Sequence, residues 1–319
     1  MVDIILRRLV GPVAILSWLV IGAGVAVAQT SSTAQFQGAY RAYNAWDDWK
    51  WWLPDKCTQV QPMYGSEPAA AGRYPVLLYV HGMFADWGGN AEGRRIVEAA
   101  AGQGFLAAAV SYDSWAAGSQ AAVDAHAKCM FGPSSGATAL GQICARPKAD
   151  CSKGVVLSGF SLGGAIAGRA ANFSSQVRAA WLLGWVKGPE NVAGLAAPTG
   201  TRALANDRLR ITVGQSDLEI RNPSTGQISG IDVSGPNKVT GSNCSSSPCL
   251  RADGSGYYVV EHAMVADGVA DHCYWMGVGV QAASDSCTWT PTLDPGFRPP
   301  STAPWSLIAN LEWLRTKLG

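Results

Sequence analysis

The chain has 319 residues, of which 48% are hydrophobic and 15% charged, with a formal net charge of +1. It is long and apolar enough for one large domain with a sizeable core. No basic patch or charge run interrupts it, which argues against a nucleic-acid partner or an anionic membrane surface.

The first segment reads as a targeting signal. Arg7 and Arg8 open it, an apolar stretch runs from Leu9 to Val27, and Ala26-Val27-Ala28 forms a small-residue cleavage signature before Gln29. The expected organisation is therefore residues 1–28 as a signal peptide and residues 29–319 as a single catalytic domain. Removing Asp3, Arg7 and Arg8 leaves acidic and basic residues in balance. An uncleaved anchor is the alternative, because the apolar stretch approaches spanning length. Twin-arginine export lacks its usual flanking residues. The expected location is secreted, extracellular or periplasmic, with no stable membrane insertion after cleavage.

Trp46, Trp49, Trp51 and Trp52 crowd the start of the mature chain. The favoured expectation is that this segment packs onto the core through its amphipathic rings. The alternative is a surface that faces sugar or polymer.

The elements follow in order. Pro75 to His81 is a continuous apolar run, the pattern of a buried parallel strand. Asn90 to Gly104 predicts a helix, Phe105 to Tyr112 a strand, and Ala116 to Met130 a second helix. An irregular cysteine-bearing segment leads to Asp150. Gly154 to Gly159 predicts a strand and Leu162 to Asn172 a helix. Val177 to Trp185, Leu209 to Val213 and Tyr257 to Glu261 are further strands, and Ala303 to Leu318 is the closing helix. Strands alternating with helices predict an α/β fold, a mostly parallel central sheet with helices on both faces. Ser224 to Gly256 and the Pro-rich Ser284 to Ala303 read as surface insertions. No long helical insertion is expected to form a lid, so the site should be open.

All eight cysteines lie beyond the signal segment, as Cys57, Cys129, Cys144, Cys151, Cys244, Cys249, Cys273 and Cys287. An even count behind a signal peptide predicts disulfides. Loop length favours the local pairs Cys244–Cys249 and Cys273–Cys287. The other four should pair among themselves, in a pattern the sequence leaves open. No Cys-x-x-Cys or Cys/His spacing suggests zinc, so neither metal nor cofactor is expected.

The most informative stretch is Val155 to Ala170. An apolar run ends in Gly159-Phe160-Ser161-Leu162-Gly163, and a small-residue helical pattern follows. Strand, sharp turn and helix place a serine at the apex with its hydroxyl presented. The bare motif is weak; its context makes Ser161 the candidate nucleophile. A serine needs a base to take its proton, a carboxylate to orient that base, and N–H donors for the oxyanion.

Asp217 follows the strand Leu209 to Val213 through Gly214-Gln215-Ser216, so it is the candidate acid, with Glu219 and Asp207 in reserve. There are four histidines. His81 precedes the nucleophile on an early strand and His126 lies mid-helix, so neither fits the order. His272, in a loop beyond the last strand, is favoured as base over His262, which directly follows that strand. The oxyanion donors expected are the backbone N–H of Leu162, at the start of the helix, and of Met83, in Gly82-Met83-Phe84. His81 should brace that loop.

These pieces, Tyr79-Val80-His81-Gly82, Gly159-Phe160-Ser161-Leu162-Gly163-Gly164, Gly214-x-x-Asp217 and Asp271-His272, resemble the α/β-hydrolase superfamily in type and order. The chain looks most like secreted, lidless serine esterases of the cutinase, polyester-hydrolase, acetylxylan-esterase or feruloyl-esterase kind. The resemblance implies a serine hydrolase that cleaves carboxylic esters through an acyl-enzyme, polymeric esters included. Two other functions remain open: a non-catalytic binding protein for carbohydrate or polymer on the same fold, and an acyltransferase or amidase using the same residues.

Overall fold

A computed structural model describes residues 33–50, 56–83, 91–114, 120–133, 137–184, 203–222, 224–277 and 292–319. The apolar run at Tyr74–Val80 is strand β3, and Val76 through Val80 are fully buried. Alternate residues of a strand face opposite ways. Val76, Leu78 and Val80 accordingly enter one core, and Leu77 and Tyr79 enter a second on the other side of the sheet. A strand buried on both faces cannot alternate polar with apolar, which explains its unbroken hydrophobic run.

The remaining strands are β1 (Thr33–Ala42), β2 (Gln59–Pro68), β4 (Leu106–Val110), β5 (Ala149–Phe160), β6 (Val177–Leu183) and β7 (Leu209–Gly214). They continue with β8 (Glu219–Arg221), β9 (Ile228–Ile231), β10 (Cys249–Leu250) and β11 (Gly256–Val260). The main sheet has the order β1-β2-β4-β3-β5-β6-β7-β11-β10, and β8 and β9 form a separate pair. From β4 to β11 neighbours run parallel. Only the flanks are antiparallel, at β1–β2, β2–β4 and β10–β11.

Helices cover both faces. On one side lie α2 (Gln120–Phe131), α3 (Ala139–Cys144), α4 (Leu162–Arg169) and α6 (Ser234–Thr240), which contribute Val123, Ile143, Ile166 and Val239 to the first core. On the other lie α1 (Ala91–Gly102) and α7 (Leu307–Thr316). Ile96, Val97 and Ala100 of α1, and Leu307, Leu311 and Leu314 of α7, show the spacing of a single buried helical stripe. Ser306 caps α7, its hydroxyl accepting from Ala309 N–H at 3.3 Å. This is the α/β fold expected from the sequence, a mostly parallel central sheet with helices on both faces, and it carries disulfides.

Those disulfides are Cys57–Cys129, Cys144–Cys151 and Cys244–Cys249. Cys273 is also disulfide-bonded; Cys287, its expected partner, lies outside the described residues. Among the described residues no helix is long and apolar enough to cross a membrane.

Three expectations need correction, and two strands were not foreseen. The segment before Asp150 is not irregular throughout, because α3 forms there, capped by Thr138, whose hydroxyl accepts from Gly141 N–H at 3.0 Å. Strands β1 and β2 gave no signal because β1 lies at the sheet edge, with most of its side chains in solvent. Ser224 to Gly256 is not merely surface, since it holds β9, α6 and β10 and buries Val239 and Cys249. In the described part of Ser284 to Ala303, Phe297 is fully buried against Trp181 and Trp275.

The tryptophan segment also departs from the favoured expectation. Trp46 and Trp49 are 82% and 68% exposed; Trp51 and Trp52 lie outside the described residues. The polar groups of their turn explain the outward rings. Asp47 is buried and accepts from Lys50, Thr58 and Asn44, so the inward-facing group of this turn is a carboxylate held by polar partners.

Candidate active site

Parallel strands bring their carboxyl ends to one edge of the sheet, where α/β proteins carry out their chemistry. Ser161 stands at that edge, directly after β5 and directly before α4. Its backbone has φ 52° and ψ −121°, the only positive φ outside glycine among the described residues. Such a conformation costs on the order of 1–3 kcal/mol and persists only where the surroundings enforce it. Here Gly159 and Gly163 make room. A Cβ at Gly159 would lie 2.3 Å from the carbonyl oxygen of Gly163, and one at Gly163 would lie 2.2 Å from those of Val80 and His81. The turn is thus pressed against the end of β3.

Helix α4 starts at Leu162. The Ser161 carbonyl accepts from Gly164 and Ala165 N–H. The N–H groups of Leu162 and Gly163 precede the first intrahelical donor, Gly164, so they are the donors that a helix leaves unused at its start. An anion beside Ser161 would meet these donors and the positive end of the helix.

The loop after β3 lies close by. A Cβ at Gly82 would be 3.5 Å from Cβ of Ser161. Gly82 N–H is already engaged, donating to Glu92 Oε1 at 3.2 Å. Met83 follows and is 41% exposed. His81 is fully buried and braces this loop. Its Nε2 accepts from Tyr112 N–H at 3.2 Å, which places its proton on Nδ1, hydrogen-bonded to Gly82 O at 2.6 Å. Its ring also stacks on Tyr112 at 4.4 Å. Glu92 was not expected from the sequence; it lies in the first turn of α1 and also accepts from the Tyr79 hydroxyl at 3.2 Å. Burial and this carboxylate push the Tyr79 phenol well above its usual range.

Asp217 sits in the one-turn helix α5 (Gln215–Leu218), immediately after β7. His272 Nδ1 donates to its Oδ2 at 2.9 Å, and Oδ1 lies at 3.2 Å. With the proton held on Nδ1, the basic lone pair of the imidazole is on Nε2. Both side chains are largely buried, at 16% and 14% exposure. The His272 ring lies 5.0 Å from the ring of Phe160, the residue before Ser161. Asp217, His272 and the Ser161 turn therefore meet at one edge of the sheet.

The loop that carries His272 is fastened on several sides. Gly214 admits it, since a Cβ there would lie 2.1 Å from the Asp271 carbonyl oxygen. Asp271 accepts from Cys273 N–H at 2.7 Å, and burial pushes its carboxyl above the usual range. The buried Tyr274 hydroxyl donates to Thr212 Oγ1 at 2.7 Å, and burial pushes that phenol up as well. Neither Tyr274 nor Thr212 carried a signal in the sequence, because apolar neighbours hide a buried hydroxyl pair.

The reserve candidates lie elsewhere. Asp207 is in a short turn before β7, beside Arg208. Glu219 and His262 pair with each other, Nε2 to Oε1 at 2.8 Å, and not with Asp217 or His272. His126 is buried in α2 against Tyr43 and Tyr112. Among the described residues no group of three or more His, Cys, Asp or Glu side chains could hold a metal.

No protein-family model matches this chain. No curated protein matches it in sequence. Solved structures do match in shape. A cold-adapted esterase from an Arctic intertidal metagenomic library is 14% identical, with 90% of this chain and 95% of that one covered and a TM-score of 0.45. A protein assigned as a dienelactone hydrolase from Klebsiella pneumoniae is 17% identical, with 71% and 85% covered and a TM-score of 0.38. A methylesterase is 15% identical, with 50% of this chain and only 40% of that one covered, at a TM-score of 0.36.

Proposed function

We propose that the chain is a secreted serine hydrolase that cleaves carboxylic esters through an acyl-enzyme. Ser161 is the nucleophile, His272 the general base and then acid, and Asp217 the carboxylate that orients the imidazole. The backbone N–H groups of Met83 and Leu162 hold the oxyanion. The observation that carries this reading is the Nδ1–carboxylate bond of 2.9 Å between His272 and Asp217, beside a serine held at φ 52°.

The steps follow from these positions. His272 Nε2 takes the Ser161 proton as Oγ attacks the acyl carbon, and the carbonyl oxygen becomes an oxyanion facing the donors. The imidazolium formed is stabilised by Asp217. It returns the proton to the departing alcohol oxygen, leaving an acyl group on Ser161. Water then enters by the same route in reverse, and the carboxylic acid leaves. None of these steps calls for a metal or an organic cofactor.

Residues 1–28 act as a cleaved signal in this reading, and the disulfides suit an oxidising compartment. Polymeric esters fit a secreted enzyme with an open site. The test is labelling with a fluorophosphonate, which modifies only an activated serine. The expected result is one adduct, mapped to the peptide bearing Ser161. No adduct on well-folded protein, or one on a different serine, overturns the assignment.

A further inference from the structure

A second imidazole–carboxylate pair stands next to the first, built from the two reserve candidates. Glu219 comes two residues after Asp217, and its side chain is wholly buried. His262 follows β11 and is 30% exposed at its side chain. His262 Nδ1 accepts from Ala270 N–H at 2.9 Å. Its proton is therefore on Nε2, which donates to Glu219 Oε1 at 2.8 Å. Both nitrogens are committed, so this imidazole is poorly placed to serve as a base.

Ala270 lies two residues before His272. The pair thus bridges the turn that carries the acid and the loop that carries the base. Other bonds run alongside. His262 N–H donates to Gln215 Oε1 at 3.3 Å, Gln215 Nε2 donates to Glu219 Oε1 at 3.3 Å, and Ser216 N–H donates to Ala270 O at 2.9 Å. Arg221 pairs with the other oxygen of Glu219. Burial pushes the Glu219 carboxyl up, but the bonds from His262 and Arg221 outweigh it and hold the group ionised.

A buried carboxylate is costly unless every bond it can make is made. Apolar side chains would attach two loops just as firmly. Directional bonds add a fixed separation and orientation. Misplacing a base by about 1 Å can cost on the order of 10²-fold in rate. We propose that Glu219 and His262 are positioning residues, a clamp that sets the distance between Asp217 and His272; this rests on the hydrolase reading above.

The test uses the mature protein and four variants, Glu219→Leu, Glu219→Gln, His262→Phe and the Leu/Phe double variant. Each is measured for Tm, for competent sites by fluorophosphonate titration, and for kcat per competent site and KM on a p-nitrophenyl ester. Glu219→Gln keeps the acceptor for Nε2–H and should stay within about threefold of wild type, whereas Glu219→Leu and His262→Phe should lose roughly 10- to 100-fold in kcat with little change in KM. The double variant should be no worse than the poorer single, because the two residues act as a unit. A merely structural role would lower Tm and the count of competent sites while leaving kcat per site intact, and that result overturns the proposal. So does a Gln variant as impaired as the Leu variant, or losses that multiply in the double variant. Ser161→Ala run in parallel separates the two claims. If it stays active, the hydrolase reading fails; if it is inactive while Glu219→Leu keeps the wild-type kcat per site, only the clamp fails.

Discussion

Asp217 and His272, 55 residues apart in the chain, meet through an Nδ1–Oδ2 bond of 2.9 Å. Their meeting depends on β7 and β11 being parallel neighbours, so that both strands deliver their following loops to the same edge. Replacing Asp217 with Asn preserves shape but not the acceptor-only character of a carboxylate. His272 would then be held in the wrong tautomer, and kcat should fall about 10⁴-fold with Tm nearly unchanged. Steady-state kinetics with an activated ester, alongside a thermal melt, check this. A loss under tenfold would remove Asp217 from the role.

The turn at Ser161 has no space for an added methyl group. In Gly163→Ala the new Cβ would meet the carbonyl oxygens of Val80 and His81, both backbone atoms that cannot swing aside. The expected cost is at least 1–3 kcal/mol, about the range for overpacking, together with loss of turnover because β3 must move away from Ser161. Urea unfolding and ester hydrolysis measure the two effects. Unchanged stability would mean the elbow is looser than described.

Stability should carry an acid limb from the far end of the sheet. Burial raises the Asp253 carboxyl, but bonds from Ser255 and the Lys317 ammonium more than offset it and bring the pKa down to about 2. A pKa lowered on folding contributes stability above the unfolded value of about 4, and this is lost as pH falls through the folded one. Asp253 is 38% exposed at its side chain, so solvent screening keeps the effect modest. Asp253→Asn should therefore be less stable than wild type at neutral pH, with the gap closing between about pH 4 and 2. Urea midpoints across that range decide it, and a gap that widens toward acid would contradict the assignment.

The disulfide Cys57–Cys129 ties the segment before β2 to α2 across 72 residues of chain. Closing a loop of that length restricts the unfolded chain by about 4 kcal/mol in the chain-entropy account. Cys57→Ser/Cys129→Ser should lose a large part of this in urea unfolding while retaining ester turnover, because neither cysteine is among the residues assigned to the reaction. Stability equal to wild type would show that the unfolded chain is already restricted there.

Much of this site is legible in the sequence because its parts sit at strand ends. Gly159-Phe160-Ser161-Leu162-Gly163 announces a strained turn, and Asp217 and His272 each follow a recognisable apolar strand. What stayed hidden has physical reasons. Edge strand β1 buries too little to show a pattern, and β2, though paired on both sides, carries Gln59, Gln61, Pro62 and Gly65 where a continuous apolar run would be. Helix α3 is only six residues long, and its cap at Thr138 is visible only once Gly141 is seen to donate to it. Trp46 and Trp49 look like core residues by composition, yet they are exposed while Asp47 between them is buried. The pairing of Glu219 with His262 depends on two loops meeting, and neither loop encodes the other. Which of His262 and His272 lies against Asp217 also needed the structure, because the two follow the same strand ten residues apart.

The most direct measurement is hydrolysis of p-nitrophenyl esters of graded acyl length by the mature wild type and by Ser161→Ala. Turnover that vanishes in the variant, with Tm unchanged, is the predicted result, and the acyl length with the highest kcat/KM then defines the substrate class. Turnover that survives in Ser161→Ala, or its absence in well-folded wild type on every ester, would contradict the central claim.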